Sequence, residues 1–323
     1  MPRLIPTLNP LRLIDDDLVW ALQQGIRMLR INLGRNSLDV NLALAARVRR
    51  LATAAIAEPV HIVFDLPGPK ARLGTLARHL DLQVGQPVSL GDGDLPLTTA
   101  WLTGQVAVGD MLALGRRGAR ARVAAVAPDR LELVAVSPGA VRSFDSVFIE
   151  GRLAAFDDGL TPDDLRLARG LFMQAGAVLV APSFVESPGT VDRIRQIARE
   201  LGAPPPQIIA KIETRVGVAN AEAIAAAADG LMIGRDDLSR ELAFDEIDRH
   251  VARWAAQLGA TRKIVPASSY FADLASADRL GQAASQLLHE LAGSAVHALV
   301  SDETAFLPDF LTIVRTGIEH GFC

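Results

Sequence analysis

The hydrophobic positions along this chain alternate between two patterns. Short, nearly continuous apolar runs are typical of strands buried on both faces of a parallel sheet, and longer stretches repeat their apolar residues at helical spacing. The runs predict strands at residues 3–7, 28–33, 60–66, 177–184, 207–212, 230–234, 263–267 and 296–300. The stretches between them predict helices, among them residues 15–24, 37–57, 218–228 and 245–258. Strands that alternate with helices in this way predict an α/β fold, a (β/α)8 TIM barrel.

The pattern changes between residues 73 and 148, where short alternating runs are separated by Gly-Asp and Pro-Asp turns. Such alternation predicts half-buried strands, so this segment predicts a small all-β domain. We therefore divide the chain into a barrel domain, residues 1–72 and 149–323, and an inserted β-rich domain, residues 73–148. The insertion follows the third barrel strand, at the end of the barrel where active sites lie, which favours a lid over a passive addition.

Charged residues stand where the predicted barrel strands end. Lys211 and Glu213 close one strand, Asp237 follows the next, and Arg30 and Asn32 share one face of the second strand because they lie two residues apart. The carboxyl ends of the strands meet at one face of a barrel. Two carboxylates there suit Mg²⁺, and a neighbouring lysine suits an anion bound to it. The alternative is a salt-bridged rim that binds no ligand.

Composition narrows the class of protein. Hydrophobic residues make up 50% and charged residues 22%, as in an ordinary globular chain. A net charge of −4 predicts no general affinity for nucleic acid. The single cysteine, Cys323, excludes a disulfide framework, and no apolar run has the length of a membrane span or the form of a signal peptide. We therefore expect a cytoplasmic protein.

Seven short motifs resemble those of the pyruvate kinase family, in the same order and with similar spacing over nearly the whole chain. They lie at residues 30–32, 65–72 (Asp-Leu-Pro-Gly-Pro-Lys-Ala-Arg), 181–185, 210–214, 229–238, 266–268 and 301–305. Each motif is weak by itself, but the set is specific. The resemblance implies a compact pyruvate kinase-like enzyme with a lid domain after the third barrel strand.

The resemblance also implies a role for individual residues. Glu213 and Asp237 would bind Mg²⁺ or Mn²⁺. Lys211 would neutralise charge on the phosphoryl group and on the enolate oxygen, since a metal and an ammonium group together stabilise an oxyanion. The further implied residues are Arg30, Asn32, Lys70, Arg72 and Asp236 at the substrate or its phosphate, Ser268 as a hydroxyl group, and Ser301 and Glu303 in proton delivery to the enolate carbon.

Lys70 stands where many members of the family carry glutamate. The resemblance implies that members with lysine at this position need no K⁺, because the ammonium group replaces the monovalent cation. Gly34 and Leu66 also lack the side-chain oxygens expected of potassium ligands. We therefore expect no requirement for K⁺.

Other positions depart from the family pattern. Asp163 replaces a lysine associated with nucleotide phosphates, Arg116 and Arg117 replace acidic lid residues, and Asp236 replaces a glycine. An acidic group near a phosphate site lowers affinity unless it is paired or turned away. The metal and enolate positions are thus kept while the nucleotide positions are altered.

The C-terminal domain of typical members has no counterpart in this sequence. Because that domain carries the effector site and one subunit interface, we expect no such allostery. A homodimer would then form through the barrel helices.

Three functions fit these observations. The first is metal-dependent phosphoryl transfer between phosphoenolpyruvate and a nucleotide such as ADP or ATP, or a related acceptor, through enolpyruvate. The second is a metal-dependent lyase, aldolase or decarboxylase that acts on a 2-oxo acid through a pyruvate enolate. The third is a non-catalytic sensor of phosphoenolpyruvate or a similar anion. The complete set of Lys211, Glu213 and Asp237 favours an enzyme, and we predict the first function, with fold-level analogy as a prior only.

Overall fold

The computed structural model describes residues 3–10, 13–56, 58–115, 119–176, 178–258, 263–267, 298–301, 314–315 and 318–319. The chain divides into two compact units. One comprises Met1–Pro67 and Asp164–Cys323, and the other is Gly68–Asp163. The sequence prediction placed the insertion at residues 73–148; the second unit also takes in residues 68–72 and 149–163. Of these, Ala71 and Arg72 pair with the strand at Ser146–Ile149.

The strands and helices follow one another in the order that the hydrophobic pattern predicts. The strands are β1 (Arg3–Leu8), β2 (Met28–Asn32), β3 (His61–Asp65), β4 (Ala71–Arg72), β5 (Leu80–Leu82), β6 (Pro87–Gly91), β7 (Met111–Leu114), β8 (Arg120–Val126), β9 (Arg130–Ala135), β10 (Gly139–Val141), β11 (Ser146–Ile149), β12 (Leu179–Ala181), β13 (Gln207–Ile212), β14 (Gly230–Gly234), β15 (Lys263–Ala267) and β16 (Ala298–Ser301). The helices are α1 (Asp15–Gln23), α2 (Leu38–Ala55), α3 (Pro162–Gln174), α4 (Pro188–Glu200), α5 (Arg215–Ala219), α6 (Ala221–Ala227), α7 (Arg235–Leu238) and α8 (Phe244–Leu258).

The first unit is a closed barrel of parallel strands. Its strand order is β1-β16-β15-β14-β13-β12-β3-β2, and each neighbouring pair is parallel. The predicted α/β barrel is therefore confirmed. Buried apolar residues from five strands form a cluster within it: Ile5, Val63, Leu179, Ala181, Ile209 and Met232.

At the carboxyl ends of several strands, polar side chains follow the residues of this apolar cluster on the same face. Side chains two residues apart face the same side of a strand. Two residues beyond Val63 the chain reaches Asp65, and two beyond Ile209 it reaches Lys211. The register pairs Asp65 with Asn32 on one side and with Ala181 on the other, so neighbouring strands end at the same level.

The helical prediction for residues 218–228 is wrong in one respect. The segment forms two short helices, α5 and α6, which meet at Asn220. The side-chain amide of Asn220 donates a hydrogen bond to the carbonyl oxygen of Glu186 at 2.8 Å, in the loop after β12. A contact between distant parts of the chain thus fixes a break that the alanine content of the segment does not indicate.

The second unit is built mainly from antiparallel strands around its own apolar core. A six-stranded sheet has the order β4-β11-β7-β8-β9-β6, and β10 pairs with β5 in a separate ribbon. Its core contains Leu82, Leu90, Leu112, Leu131 and Val147, each 1% exposed or less. That this unit closes over a substrate as a lid stays a prediction.

Gly91, at the end of β6, should tolerate no side chain. Its φ is +106°, and a Cβ atom there would lie 2.2 Å from the backbone oxygen of Asp129. Gly85 also has a positive φ of +83°, but a Cβ atom there would meet nothing within 4 Å. We expect Gly85→Ala to lower the free energy of unfolding by about 1–2 kcal/mol, the cost of left-handed backbone for an L-residue. Gly91→Ala should lower it by more, because strain and a backbone clash add.

Urea unfolding of both variants, followed by circular dichroism, measures the difference. Equal losses of stability in Gly85→Ala and Gly91→Ala would contradict the predicted clash at Asp129.

Candidate functional site

The carboxylate of Asp65 lies at the centre of a buried charged cluster at the carboxyl ends of the barrel strands. Its Oδ2 accepts a hydrogen bond from Nε of Arg30 at 2.8 Å and lies 3.2 Å from Nζ of Lys211. The three residues are 1%, 5% and 7% exposed, in the order Asp65, Arg30, Lys211. An isolated charge at such depth would be strongly unfavourable, so one carboxylate here stabilises two cations.

The ammonium group of Lys211 is held by oxygens from three residues. Nζ donates to Oγ of Ser183 at 2.7 Å and to Oδ1 of Asp65 at 3.3 Å, and it lies 3.1 Å from Oε1 of Glu213. Ser183 in turn donates to the carbonyl oxygen of Leu66 at 2.6 Å. Because an ammonium group has three N–H donors, these oxygens fix the direction of the Lys211 side chain.

The pKa of Lys211 is raised above its ordinary value. Burial lowers the pKa of this ammonium group, but the carboxylates of Asp65 and Glu213 raise it by more in sum, Arg30 opposes them, and Asp237 adds to the increase. Lys211 is therefore a cation at neutral pH. It can stabilise negative charge, but it does not offer the neutral amine that a nucleophile or a general base requires.

Glu213 is fixed from two sides. Its Oε2 accepts a hydrogen bond from the backbone N–H of Phe184 at 2.9 Å. Phe184 has a φ of 55°, a left-handed conformation that is uncommon outside glycine and that clusters at functional sites. On the other side, a Cβ atom at Gly234 would lie 2.5 Å from both Cγ and Oε1 of Glu213. The glycine therefore leaves the space that the buried carboxylate fills.

Arg30 joins the first strand of the barrel to the cluster. Its Nη1 donates to Oγ1 of Thr7 at 2.8 Å, and Thr7 is its partner in the register of β1 and β2. Thr7 is 2% exposed. With Nε on Asp65 and Nη1 on Thr7, the guanidinium group is oriented by two neighbouring strands.

The sequence prediction did not assign Thr7, Asp65, Ser183 or Gly234 to the site. A signal for three of them is present in the strand alternation. Thr7, Asp65 and Ser183 each follow an inward-facing apolar residue by two positions, Ile5, Val63 and Ala181 respectively. Gly234 carries no such signal, because its role is to leave room for Glu213.

Asn32 is the last residue of β2, and Asp236 and Asp237 lie on the segment that follows β14. Oδ1 of Asn32 accepts the backbone N–H of Gly34 at 3.0 Å, which stabilises the turn after β2. Asp236 and Asp237 belong to the four-residue helix α7, where the carbonyl oxygen of Asp236 accepts Oγ of Ser239 at 2.7 Å. Substrate contacts from Asn32 and Asp236 stay predictions.

Lys70 and Arg72 belong to the second unit. Nζ of Lys70 lies 5.5 Å from the ring centroid of Phe148, and Nη1 of Arg72 donates to the carbonyl oxygen of Phe144 and to Oγ of Ser146, each at 3.3 Å. These contacts stay within that unit, so the predicted substrate contacts of both residues are untested.

Three further predicted site residues carry no structural account. Ser268 and Glu303 lie outside the described residues. The backbone of Ser301 ends β16, and its side chain is not described.

The described carboxylates form no self-contained metal site. Among the described residues, no group of three or more His, Cys, Asp or Glu side chains is placed to hold a metal ion. A pair of carboxylates, Glu213 with Asp237, remains as the candidate donor set. Within the same part of the chain, none of the helices combines the length and apolar character that a bilayer crossing requires.

Comparison with known proteins agrees with the motifs. Residues 2–268 match the family model described as the pyruvate kinase barrel domain. The pyruvate kinase of Chlamydia pneumoniae is 27% identical over 316 residues, which cover 91% of this chain and 65% of that protein. The pyruvate kinase of Mycobacterium tuberculosis is 30% identical over 255 residues, which cover 76% of this chain and 53% of that protein.

A solved structure gives the same fold. The crystal structure of Cryptosporidium parvum pyruvate kinase superposes with a TM-score of 0.83 at 19% identity, covering 99% of this chain and 69% of that one. The chain thus spans between half and two thirds of the length of these curated relatives. The family model covers most of the chain, from residue 2 to residue 268, and the predicted resemblance is confirmed: the chain belongs to the pyruvate kinase family.

Proposed function

We propose that this chain is a phosphotransferase that moves a phosphoryl group between phosphoenolpyruvate and a nucleoside diphosphate. The observation that carries the proposal is the buried cluster in which Asp65 holds Arg30 and Lys211 beside Glu213. The cluster lies at the end of the barrel where barrel enzymes place their active sites. The pyruvate kinases similar to this chain support the same reaction.

Phosphoryl transfer depends mainly on positioning and on neutralising charge, because the protein takes little part in covalent chemistry. Arg30 and Lys211 supply two fixed positive charges at the cluster. The P–O bond to the enolate oxygen breaks as a new P–O bond forms to the terminal phosphate oxygen of the nucleotide. The bonding electrons stay on the enolate oxygen, which the Lys211 cation stabilises.

A proton must then reach the enolate carbon to give pyruvate. The family resemblance assigns this step to Ser301 and Glu303. Lys211 is unsuited to it, because its raised pKa keeps the ammonium proton in place at neutral pH.

Glu213 and Asp237 would hold Mg²⁺ or Mn²⁺. The donor set fits, because Mg²⁺ commonly takes one or two protein carboxylates and completes its shell with water and substrate phosphate. The N–H of Phe184 and the space at Gly234 hold the Glu213 carboxylate in a single direction. When bound, the metal would supply positive charge to the phosphoryl and enolate oxygens.

The proposal includes independence from K⁺. It rests on Lys70, whose ammonium group stands where many family members have a carboxylate, and on Gly34 and Leu66, which offer no side-chain oxygen. Asp65 also already carries Arg30 and Lys211 as counter-ions.

The first prediction concerns turnover. With Mg²⁺ or Mn²⁺, the protein should form ATP from phosphoenolpyruvate and ADP, or the corresponding triphosphate from another nucleoside diphosphate, equally well with K⁺ or with tetramethylammonium. Lys211→Met should lower kcat by about 100-fold or more, as the loss of an oxyanion-stabilising group does. Arg249→Gln, at a surface ion pair, should leave kcat unchanged.

A coupled assay with each nucleoside diphosphate measures these rates, and circular dichroism checks that the variants fold. Full activity of Lys211→Met would exclude the role given to this residue. No turnover with any nucleotide, together with metal-dependent binding of oxalate as an enolate mimic, would replace the proposal with enolate chemistry that uses no nucleotide.

The second prediction concerns the metal. Glu213→Gln and Asp237→Asn should each weaken Mn²⁺ binding by at least about 10-fold, because each removes a charged oxygen donor. Asp245→Asn, which changes an exposed carboxylate on α8, should not alter it. Electron paramagnetic resonance titration of free Mn²⁺ gives the affinities. Superimposable curves for wild type and the two site variants would count against this pair as the ligands.

The third prediction concerns Asp65. Asp65→Asn should lower the pKa of Lys211, since the carboxylate of Asp65 is the largest contribution that raises it. Removing one partner of a buried ion pair should also lower the free energy of unfolding by roughly 3–5 kcal/mol. Because the folded pKa of Lys211 lies above its ordinary value of 10.5, its contribution to stability is complete below that pH and is lost as pH rises through the folded pKa.

Urea unfolding at a series of pH values from about 8 to about 10 tests this sign, because most lysines keep their proton over that range. Over this range the Lys211 contribution should be constant in wild type. In Asp65→Asn the stability should rise with pH relative to wild type, because burial then lowers the folded pKa of Lys211 below its ordinary value and the unfolded chain binds more protons. Asp245→Asn serves as the control for losing an exposed carboxylate. A pH dependence identical to that of wild type would show that Asp65 does not set the charge state of Lys211.

A further inference from the structure

A second ion pair, in which Arg235 is buried and Asp248 is partly exposed, includes a residue of the short helix that carries Asp237. The guanidinium group of Arg235 is bound at both ends of its fork by Asp248 on α8, with Nε to Oδ1 and Nη2 to Oδ2 each at 3.1 Å. Its Cζ lies 4.5 Å from the ring centroid of Phe244, the first residue of α8. Arg235 is only 6% exposed. The cation therefore contacts a carboxylate and an aromatic face.

The segment held by this pair is too short to fix itself. Helix α7 has four residues, and short helices gain little stability from their own hydrogen bonds. The residue before it, Gly234, has no side chain that could cap it. The direction of Asp237 therefore depends on the contacts of α7 with the rest of the protein, among them those of Arg235 through its fork and of Leu238, which is 1% exposed.

We propose that Arg235 is a positioning residue whose clamp on Asp248 and Phe244 sets the direction of Asp237 and thereby the affinity for the divalent metal. The inference rests on the proposed function in one respect, because it takes Asp237 as a metal ligand. The inference also gives a role to two residues on α8, Asp248 and Phe244, which lie outside the seven motifs.

The chemistry of the pair argues for a directional role. A buried ion pair adds little stability compared with apolar residues of similar size, because both charges lose their hydration. The planar fork of arginine does define direction, since two parallel hydrogen bonds to one carboxylate fix both distance and rotation. A lysine at position 235 would keep the positive charge but lose the planar fork of donors. Leucines at positions 235 and 248 would keep apolar packing against Phe244 but lose both the charge and the fork.

These differences give the test. We compare Arg235→Lys with the double variant Arg235→Leu/Asp248→Leu. Both should weaken Mn²⁺ binding by about 10-fold, the effect expected when the support of a metal ligand is lost. The double variant should at the same time keep a free energy of unfolding close to that of wild type, because apolar replacement of a buried ion pair is often neutral.

The control is an exposed ion pair on the same helix. Nη2 of Arg253 on α8 lies 2.9 Å from Oε1 of Glu222 on α6, and the two side chains are 53% and 64% exposed. Arg253→Gln removes an arginine from a pair between two elements, as the test variants do, but at the surface. Its Mn²⁺ affinity should equal that of wild type.

The readouts are Mn²⁺ titration by electron paramagnetic resonance and urea unfolding, neither of which requires turnover. Wild-type Mn²⁺ affinity in both folded test variants would overturn the inference and leave the clamp a purely structural feature. If the double variant does not fold, Arg235→Lys decides alone.

Failure of the proposed function gives a different result. In that case Asp237→Asn and Glu213→Gln would also bind Mn²⁺ as wild type does. That result would contradict both the metal site and the clamp. Weakened binding in those two ligand variants, with unchanged binding in Arg235→Lys, would reject the clamp only.

Discussion

One buried carboxylate, that of Asp65, determines how the carboxyl ends of the barrel strands can be arranged. It is 1% exposed and carries both Arg30 and Lys211. Charges at this depth are tolerated only when partners meet them with good geometry, so the polar side chains of β2, β3 and β13 must meet at one place. The strand register places the ends of β2 and β12 beside Asp65, at Asn32 and Ala181, and Lys211 reaches the carboxylate from β13. The strand register of the barrel and the pairing of the buried charges therefore depend on each other.

The same alternation that builds the apolar core also builds the site. On three strands, and just past the end of β12, an apolar residue of the core cluster is followed two positions later by a polar residue of the site. These pairs are Ile5 and Thr7, Val63 and Asp65, Ala181 and Ser183, and Ile209 and Lys211. The apolar residue in the core fixes the direction of the polar residue two positions later. A strand that turned the polar side chain away would also expose the apolar one. Rigid strands thus support the cations, as a preorganised electrostatic site requires.

Apolar runs and strand-end charges were enough to predict the barrel, Lys211, Glu213 and the strand that carries Arg30. What they could not supply depends on contacts between distant segments. The break at Asn220 follows from its bond to Glu186, and the space at Gly234 is defined by the Glu213 side chain. Helix α7 could not be predicted from the sequence either, because a four-residue helix is too short to show helical periodicity. Local pattern names the residues that carry charge, whereas tertiary contacts decide which direction each charge faces.

The ion pairs at Asp65 and at Arg235 differ in what they can control. In the proposed reaction, the groups paired at Asp65 would themselves face the reacting anion, so changing that pair would alter charge and orientation together. The pair of Arg235 and Asp248 joins helix α7 to helix α8, and the proposed reaction gives neither residue a contact with the substrate. It can therefore be exchanged for apolar residues, and any effect on the metal must then come from the direction of Asp237. Because Asp248 belongs to helix α8, the precision of the site depends on a helix that contributes no residue to the chemistry itself.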